Sequence, residues 1–344
     1  MRICVVSEEL ASPLDEGFKK YSWSLIKALS ARHQVLTLSK WGLCDQECLV
    51  EKVPMNRLLL NWSLWRRIAR FAPEIIFYVP SSSGTFNSFL RAHILKWYGG
   101  GTRIILVSLQ PRDYSPLQAR WIPWLRPDVV LVQSRQSAQA LEELGCLVHV
   151  VPSGVELDRF TPISESHKRQ LRRQWDLPSG AFLVLHVGHI NAHRGLSIFK
   201  ELQAESGIQV LLVGSTSTPQ DEELILELKN AGIRVIRDYI PKIQEIYQLS
   251  DCYLFQVSSK EAAIELPLSV LEAMACNLPV VATRYGGLAD FFPETDGFLF
   301  AETQEEVWAK IRLLKKGMPS RTRAMVEALS WENVLKKYLW KYIQ

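Results

Sequence analysis

The chain alternates between short apolar runs and longer segments in which apolar residues recur at helical spacing. The apolar runs are rich in Val, Ile and Leu, as expected for strands that are buried on both faces of a parallel sheet. They predict strands at residues 3–6, 34–38, 75–79, 104–109, 129–132, 148–151, 182–187, 210–214, 234–236, 253–255 and 279–283. Helical spacing follows several of them, as in residues 18–30 and 134–144. The alternation predicts an α/β fold with parallel strands joined by helices.

The stretch from Glu265 to Gly287 combines a turn, a helix, a short loop, a buried strand and a glycine pair. Pro267 suits the first position of a helix, where a missing N–H costs nothing. Leu268 and Leu271 can then face a core. A helix N-terminus beside the end of a strand offers unpaired N–H groups and the positive end of the helix dipole, so this stretch is a candidate anion site.

This stretch resembles family 4 of the retaining glycosyltransferases. The family pattern is Glu, seven residues, Glu, then Ala-Met-Ala, a short loop, Leu-Pro-Val-Val-Ala-Thr and Gly-Gly. The segment that runs Leu268-Ser-Val-Leu-Glu272-Ala-Met-Ala fits it without gaps, and so does the segment that begins at Leu278. The position of the first glutamate holds Ile264, and Glu265 is the nearest carboxylate.

The resemblance implies the GT-B fold, in which two Rossmann-like domains face a central cleft. It places an acceptor-binding domain at residues 1–153 and a nucleotide-sugar-binding domain at residues 154–320. It also implies that residues 321–344 form a C-terminal helix that crosses back to the first domain. Residues 151–162 match the segment that links the two domains in the family.

The donor site that the resemblance implies begins at the first strand of the second domain. The family pattern there is Gly, Arg, four residues, Lys, Gly, and this chain places His189 and Arg194 at the two cationic positions. Two cations at a strand end and the next helix start can clamp a diphosphate. Alternatively, Arg194 is a solvated residue at a helix start. Gly17 matches a glycine that approaches the donor phosphates, or it is a turn glycine at a helix entry.

Glu272 matches the family residue that accepts hydrogen bonds from the ribose hydroxyls, and the alternative is a surface helix residue. Tyr239 or Ile240 follows a strand end where the family recognises the nucleotide base. Glu265 is expected to replace the first glutamate at the sugar if the turn before the helix is remodelled. The predicted donor-binding residues are Gly17, Gly188, His189, Arg194, Tyr239, Ile240, Pro267, Leu268, Ser269 and Glu272, and the predicted catalytic residues are Glu265 and Arg194.

Length and composition fit two globular domains, with 344 residues of which 47% are hydrophobic and 22% charged. Residues 1–153 carry 18 Lys or Arg against 12 Asp or Glu, and the remainder carries 22 against 24. A net charge of +6 on the first part favours an anionic partner or a membrane surface there, or simply a mildly basic domain. Residues 57–71 interleave Leu and Trp with four arginines, which predicts either an interfacial helix on an anionic membrane or an ordinary surface helix.

The six cysteines are scattered, and no second Cys/His pair with zinc spacing accompanies Cys44 and Cys48. This pattern predicts reduced thiols, no metal site and a cytoplasmic protein, with the inner face of the membrane as the alternative location. The first residues predict a strand rather than a signal peptide, and no uncharged run has the length and apolarity of a membrane span.

The sequence therefore predicts a retaining glycosyltransferase that moves a sugar from a nucleotide-diphosphate-sugar donor to a hydroxyl of a glycan or lipid-linked acceptor. No cofactor and no nucleic-acid partner are expected, and the nucleotide sugar is a substrate. One alternative is a non-catalytic nucleotide-sugar-binding protein, which the replacement of the first glutamate by Ile264 favours. Gln110, at the position where many family members have a histidine, favours it too. A less favoured alternative is a sugar-nucleotide epimerase.

Overall fold

A computed structural model describes residues 1–44, 49–191, 194–217 and 221–343. Cys48, one member of the cysteine pair noted above, lies outside the described residues. The chain divides into two compact units by its internal contacts. Unit 1 comprises Met1–Ser153, Ile264–Leu266 and Trp331–Gln344, and unit 2 comprises Gly154–Ala263 and Pro267–Ser330.

Unit 1 is built on a sheet whose strands, within the described residues, follow the order β3-β4-β2-β1-β5-β6-β7-β8. All neighbouring strands are parallel except β3 and β4. The strands are β1 (Arg2–Ser7), β2 (Gln34–Ser39), β3 (Leu43–Cys44), β4 (Leu49–Lys52), β5 (Ile75–Val79), β6 (Arg103–Val107), β7 (Val129–Val132) and β8 (Val148–Val150). The helices are α1 (Gly17–Ser30), α2 (Trp62–Phe71), α3 (Phe86–Tyr98), α4 (Pro116–Leu125) and α5 (Arg135–Glu142).

Helices α2 to α5 cover one face of this sheet. Leu64, Phe89, Ile122 and Leu141, one from each helix, pack in a single core cluster with alternate residues of the strands. Helix α2 begins at Trp62 rather than at residue 57, so the predicted start is wrong. The reason is a side-chain cap, because Asn61 Oδ1 accepts hydrogen bonds from two backbone N–H groups of the first helical turn.

Unit 2 is built on a fully parallel sheet, and the order of its described strands is β11-β10-β9-β12-β13-β14. The strands are β9 (Phe182–Gly188), β10 (Ile208–Gly214), β11 (Arg234–Ile236), β12 (Cys252–Phe255), β13 (Val280–Ala282) and β14 (Phe298–Phe300). The helices are α6 (Glu165–Gln174), α7 (Ser197–Ala204), α8 (Glu222–Asn230), α9 (Ile243–Leu249), α10 (Leu268–Ala275), α11 (Leu288–Phe291), α12 (Gln304–Lys315) and α13 (Thr322–Val326). The α/β class and the Rossmann-like character of both units are as predicted.

The last part of the chain returns to unit 1. After a 3-10 turn at Glu327–Leu329, this part forms α14 (Trp331–Val334), a π-helical stretch (Leu335–Leu339) and α15 (Trp340–Ile343). Trp331 packs edge-on against Tyr21 of α1, with ring centroids 5.2 Å apart. The roles of acceptor and donor domain that the sequence assigns to the two parts of the chain stay predictions.

Candidate functional site

The carboxyl ends of β9, β12 and β13 lie side by side in unit 2, because β9 pairs with β12 and β12 with β13. In open parallel sheets, ligands bind at this edge. Arg194 follows β9 and is buried, with 6% of its surface exposed. Its predicted alternative, a solvated helix-start residue, is therefore wrong. The glycine after it, Gly195, has φ +57°, a left-handed conformation that glycine adopts without strain.

The guanidinium of Arg194 is buried without a compensating charge. No carboxylate of the described residues forms an ion pair with it, and its Nε has no hydrogen-bond partner. Burial lowers the pKa of Arg194, but an arginine keeps its charge at physiological pH. A buried charge without a partner costs several kcal/mol or more, so this site favours a ligand that brings a negative charge.

Gly188, the last residue of β9, makes room for this guanidinium. A Cβ at Gly188 would lie 3.4 Å from Arg194 Nη1 and 3.3 Å from His186 Nε2. Both contacts are tight, so a side chain at this position would displace one of the two groups. His189 follows directly and is half-buried.

His186 is a site residue that the sequence reasoning missed. It is fully buried within β9, and its Nδ1 lies 3.0 Å from the carbonyl oxygen of Leu254. Since a carbonyl only accepts, Nδ1 carries the proton and Nε2 is an acceptor, which has no partner among the described residues. Burial, and then the charge of Arg194, lower the pKa of His186 to about 3, so the ring is neutral. A polar residue inside an apolar strand run was the available signal.

Two more polar groups without partners lie at the same edge. Gln256 follows β12 and Thr283 follows β13, and neither Gln256 Nε2 nor Thr283 Oγ1 has a hydrogen-bond partner in the described part of the chain. Native proteins leave few buried polar atoms unpaired. Together with Arg194 Nε and His186 Nε2, these make four such atoms on residues that lie in or follow three adjacent strands. They indicate a site that a polar ligand completes.

Helix α10 brings Glu272 into the interior of unit 2. Glu272 is 5% exposed, and its Oε2 accepts a hydrogen bond of 2.7 Å from the hydroxyl of Tyr247. Burial and the charge of Glu272 raise the pKa of Tyr247 well above its usual value. The alternative of a surface helix residue is therefore wrong for Glu272.

The first turn of α10 is tied to the strands by one tyrosine. The hydroxyl of Tyr253, on β12, lies 2.8 Å from Ser269 Oγ and 3.2 Å from the carbonyl oxygen of Val187 on β9. Pro267 occupies the capping position and Leu268 is the first helical residue, one position later than predicted. The N-terminal turn of α10 is thus held against the strands that carry Arg194.

Glu265, the predicted catalytic carboxylate, belongs to unit 1, whereas the predicted donor-binding residues on α10 belong to unit 2. Its Oε1 accepts hydrogen bonds from Ser134 Oγ at 2.5 Å and Ser137 Oγ at 2.7 Å, and only 2% of the residue is exposed. Its backbone N–H donates to the carbonyl of Leu109 at 2.7 Å. Ser134 caps α5, so the carboxylate lies at the positive end of that helix.

Ile264 and Gly17 are neighbours in unit 1. A Cβ at Gly17 would lie 3.4 Å from Ile264 Cδ1, an ordinary contact, so packing does not require glycine at this position. Ile264 is 7% exposed and apolar at the position of the family's first glutamate. Tyr239 and Ile240 follow β11 at the outer edge of the other sheet, and Tyr239 is exposed.

The described residues contain no helix long and apolar enough to cross a membrane. Over the same residues, no group of three or more His, Cys, Asp and Glu side chains is placed to hold a metal ion. The predicted absence of a metal stays a prediction.

Comparison with known proteins finds relatives that are named glycosyltransferases. The chain is 31% identical over 180 residues to D-inositol 3-phosphate glycosyltransferase of Corynebacterium jeikeium (strain K411), covering 47% of this chain and 42% of that protein. It is 25% identical over 320 residues to sulfoquinovosyl transferase SQD2 of Arabidopsis thaliana, covering 85% of this chain and 58% of that protein. The chain thus spans about half the length of these curated relatives.

Solved structures match over the whole chain. The crystal structure of Anabaena Alr3699/HepE in complex with UDP has a TM-score of 0.77 at 16% identity and covers 100% of this chain and 99% of that one. Sucrose-phosphate synthase from Thermosynechococcus elongatus has a TM-score of 0.76 at 17% identity and covers 100% and 98%. The fold is GT-B, as predicted. The family model of glycosyl transferases group 1 matches residues 167–329, the part of the chain that contains Arg194 and Glu272.

Proposed function

We propose that the chain is a retaining glycosyltransferase that moves a sugar from a nucleotide-diphosphate-sugar donor to a hydroxyl acceptor. The observation that carries the proposal is the buried, uncompensated guanidinium of Arg194 at the carboxyl edge of a Rossmann-like sheet. A diphosphate supplies the missing counter-charge. UDP and UDP-glucose are the ligands in the Anabaena structures, which supports a nucleotide sugar as the ligand class.

In this mechanism, Arg194 acts on the leaving group. When the bond between the sugar and the diphosphate breaks, negative charge grows on the diphosphate oxygens. A fixed cation in a site that excludes water stabilises this charge more than it stabilises the bound donor, which lowers the barrier. We propose that the phosphates are surrounded by Gly188, His189 and the first turn of α10, at Pro267, Leu268 and Ser269.

The remaining donor contacts divide among nucleotide and sugar. Glu272 is proposed to accept hydrogen bonds from the ribose hydroxyls, and Tyr239 or Ile240 to pack on the base. Gly17 is proposed to let the backbone of unit 1 approach the phosphates. Glu265 keeps its proposed catalytic task at the sugar, although its two serine hydrogen bonds support a positioning role in unit 1 as well.

The acceptor is proposed to bind to unit 1, as a hydroxyl of a glycan or of a lipid-linked sugar. The carboxyl ends of β1 and β5 carry a polar cluster there, in which Glu8 accepts hydrogen bonds from Arg91 Nη1 at 2.7 Å and from Ser81 Oγ at 3.1 Å. We propose a cytoplasmic location, which the free, buried thiols of Cys4 and Cys252 support. Contact of residues 57–71 with the inner face of the membrane stays a prediction.

A second candidate function is a non-catalytic nucleotide-sugar-binding protein. The observation that favours it is Ile264, a buried apolar side chain at the position where the resemblance expects the first glutamate. Release of sugar or transfer to an acceptor from a bound donor would separate the two candidates, since the binding protein leaves the donor intact.

Arg194→Ala tests the diphosphate clamp. The variant is expected to weaken binding of a nucleoside diphosphate by about 2–4 kcal/mol, because the phosphate charge loses its buried partner. Titration calorimetry with UDP and GDP measures this loss. Arg237→Ala is the matched control, since Arg237 pairs with Glu222 on the surface of the same unit. Unchanged affinity in Arg194→Ala would reject the clamp.

A further inference from the structure

Three neighbouring helices of unit 1 carry exposed tryptophans. Trp62 on α2 is 65% exposed, Trp97 on α3 is 76% exposed and Trp124 on α4 is 77% exposed. Trp65 and Trp121 are exposed as well. Single exposed apolar residues are common on soluble proteins, but a group of large aromatic side chains indicates an interaction surface.

Helices α2 and α4 present these side chains in the same spacing. The exposed residues at positions i, i+3, i+4 and i+7 are Trp62, Trp65, Arg66 and Ala69 on α2, and Leu117, Arg120, Trp121 and Trp124 on α4. Each helix buries few of its own residues in the core, Leu64 and Ile68 on α2 and Ile122 on α4. Each helix therefore has a narrow core face and an outer face of tryptophan and arginine.

Hydrogen bonds bring the three helices together at the C-terminal end of α3. The hydroxyl of Tyr98 accepts from the N–H of Asn61, at 3.1 Å, and donates to the carbonyl of Leu59, at 3.0 Å. Lys96 pairs with Asp128, just beyond α4, at 2.5 Å. Trp62, Trp97 and Trp124 thus flank one corner of unit 1.

This corner lies at the edge of the sheet where the strands begin. Helix α3 ends at Tyr98, shortly before β6 starts at Arg103, and α4 ends at Leu125, shortly before β7 starts at Val129. The corner is therefore opposite to the carboxyl edge with Glu8. We call the outer surface formed by Trp62, Trp65, Arg66, Trp97, Arg120, Trp121 and Trp124 the tryptophan face.

The tryptophan face carries positive charge and no negative charge. Both charged residues of the tryptophan face, Arg66 and Arg120, are cations. In the described part of the chain, Arg66, Arg70 and Arg120 form no ion pair with a carboxylate. The guanidinium of Arg66 lies over the ring of Trp62, 5.0 Å from its centroid. Cations and tryptophans on one outer surface match the two parts of an anionic lipid interface, its headgroup charge and its boundary with the acyl chains.

We propose that the tryptophan face docks unit 1 on an anionic lipid bilayer. The tryptophan rings enter the headgroup boundary, and the unpaired arginines hold lipid phosphates. This inference goes beyond sugar transfer and does not depend on it, because the corner with Trp62, Trp97 and Trp124 lies at the opposite edge of the sheet from the proposed acceptor cluster. Docking through this face leaves the carboxyl edge of unit 1 clear of the lipid.

Vesicle sedimentation with the full chain tests the proposal. At low ionic strength, the protein is expected to sediment with vesicles of phosphatidylcholine and phosphatidylglycerol, to sediment much less with phosphatidylcholine alone, and to be released by salt. Arg66→Gln and Arg120→Gln should each weaken binding about fivefold, the effect of one cation near an anionic membrane. Trp121→Ala with Trp124→Ala should weaken it by about tenfold or more, because both rings leave the interface.

Matched controls come from exposed residues of unit 2. Leu226→Ala removes an exposed apolar side chain, and Lys316→Gln removes an exposed cation that no carboxylate of the described residues pairs. Both should bind vesicles like the wild type. All of these variants should keep the wild-type melting temperature, since the altered side chains are exposed. The proposal would be overturned if the protein did not sediment with anionic vesicles at low salt, or if the double tryptophan variant sedimented like the wild type. Self-association through this face in place of lipid binding would overturn it too.

Discussion

Unit 2 buries two arginine side chains to nearly the same degree, and their surroundings are opposite. Arg172, 4% exposed, donates to the carbonyls of Leu249 and Ala181 at 2.8 and 3.0 Å and to Asp251 at 2.6 Å. Arg194 has neither a carboxylate partner nor a partner for its Nε in the described residues. The fold itself compensates the first charge and leaves the second charge to a ligand.

This comparison separates a structural cation from a candidate binding cation by its partners rather than by its burial. Burial alone would rank the two arginines together. Removing one partner of a buried ion pair leaves the other charge buried without a partner, which destabilises the fold. Removing a buried charge that has no partner instead removes an unfavourable desolvation free energy. Each arginine therefore has its own expected response to mutation, and the following experiments test the difference.

The largest effect is expected from Arg172→Met. This variant should lower the free energy of unfolding by about 2–4 kcal/mol, because the buried carbonyls of Leu249 and Ala181 lose a donor, while Asp251 keeps its ion pair with Lys168. Arg194→Met, at equal burial, should be as stable as the wild type or more stable. Urea unfolding of the three proteins in parallel gives the answer. The distinction fails if Arg194→Met loses as much stability as Arg172→Met.

Lowering the pH should lower the free energy of unfolding through His186, which belongs to the same site as Arg194. The unfolded chain binds a proton on this residue as the pH falls through 6.5, but the folded protein does so only near pH 3. The contribution of neutral His186 to the free energy of unfolding is therefore complete above pH 6.5. It is lost as the pH falls below 6.5, by up to about 1.4 kcal/mol per pH unit. The slope of unfolding free energy against pH, compared between wild type and His186→Leu, measures this contribution. Equal slopes would show that the folded protein binds a proton on His186 as readily as the unfolded chain does.

Glu265→Gln extends the comparison to a compensated carboxylate. The change weakens two charge-assisted hydrogen bonds from Ser134 and Ser137, so the free energy of unfolding should fall by about 1 kcal/mol. Turnover should fall further than donor affinity if Glu265 has its proposed catalytic task. Steady-state kinetics together with urea unfolding resolves the two roles. Full turnover in a folded variant would remove the catalytic role and strengthen the case for a binding protein.

Gly17→Ala should give the smallest change in stability, within about 0.5 kcal/mol, because the added methyl group meets Ile264 at an ordinary contact distance. Donor affinity should nevertheless fall severalfold if the backbone at Gly17 approaches the phosphates. Thermal melting and calorimetry with a nucleoside diphosphate measure the two quantities. Unchanged affinity would identify Gly17 as a helix-entry glycine.

Much of the fold could be predicted from the sequence because buried parallel strands leave long apolar runs. Helix α10 and strand β13 lie close to where the local pattern puts them, and the motif around Glu272 predicts a buried donor residue. The partners of Glu265 could not be predicted, since Ser134 lies 131 residues away and no local pattern links them. His186 was missed because an apolar strand gives no sign of which polar atom inside it lacks a partner.

Unit 1 is discontinuous along the chain, with Ile264–Leu266 and Trp331–Gln344 joining Met1–Ser153. A ribosome makes the chain from its N-terminus, and domains generally fold as their residues emerge. Ser134 and Ser137 must therefore wait for Glu265, which follows Gly154–Ala263 of unit 2, and Tyr21 must wait for Trp331, which follows all of unit 2. In order of synthesis, the unit that starts first is the one that finishes last.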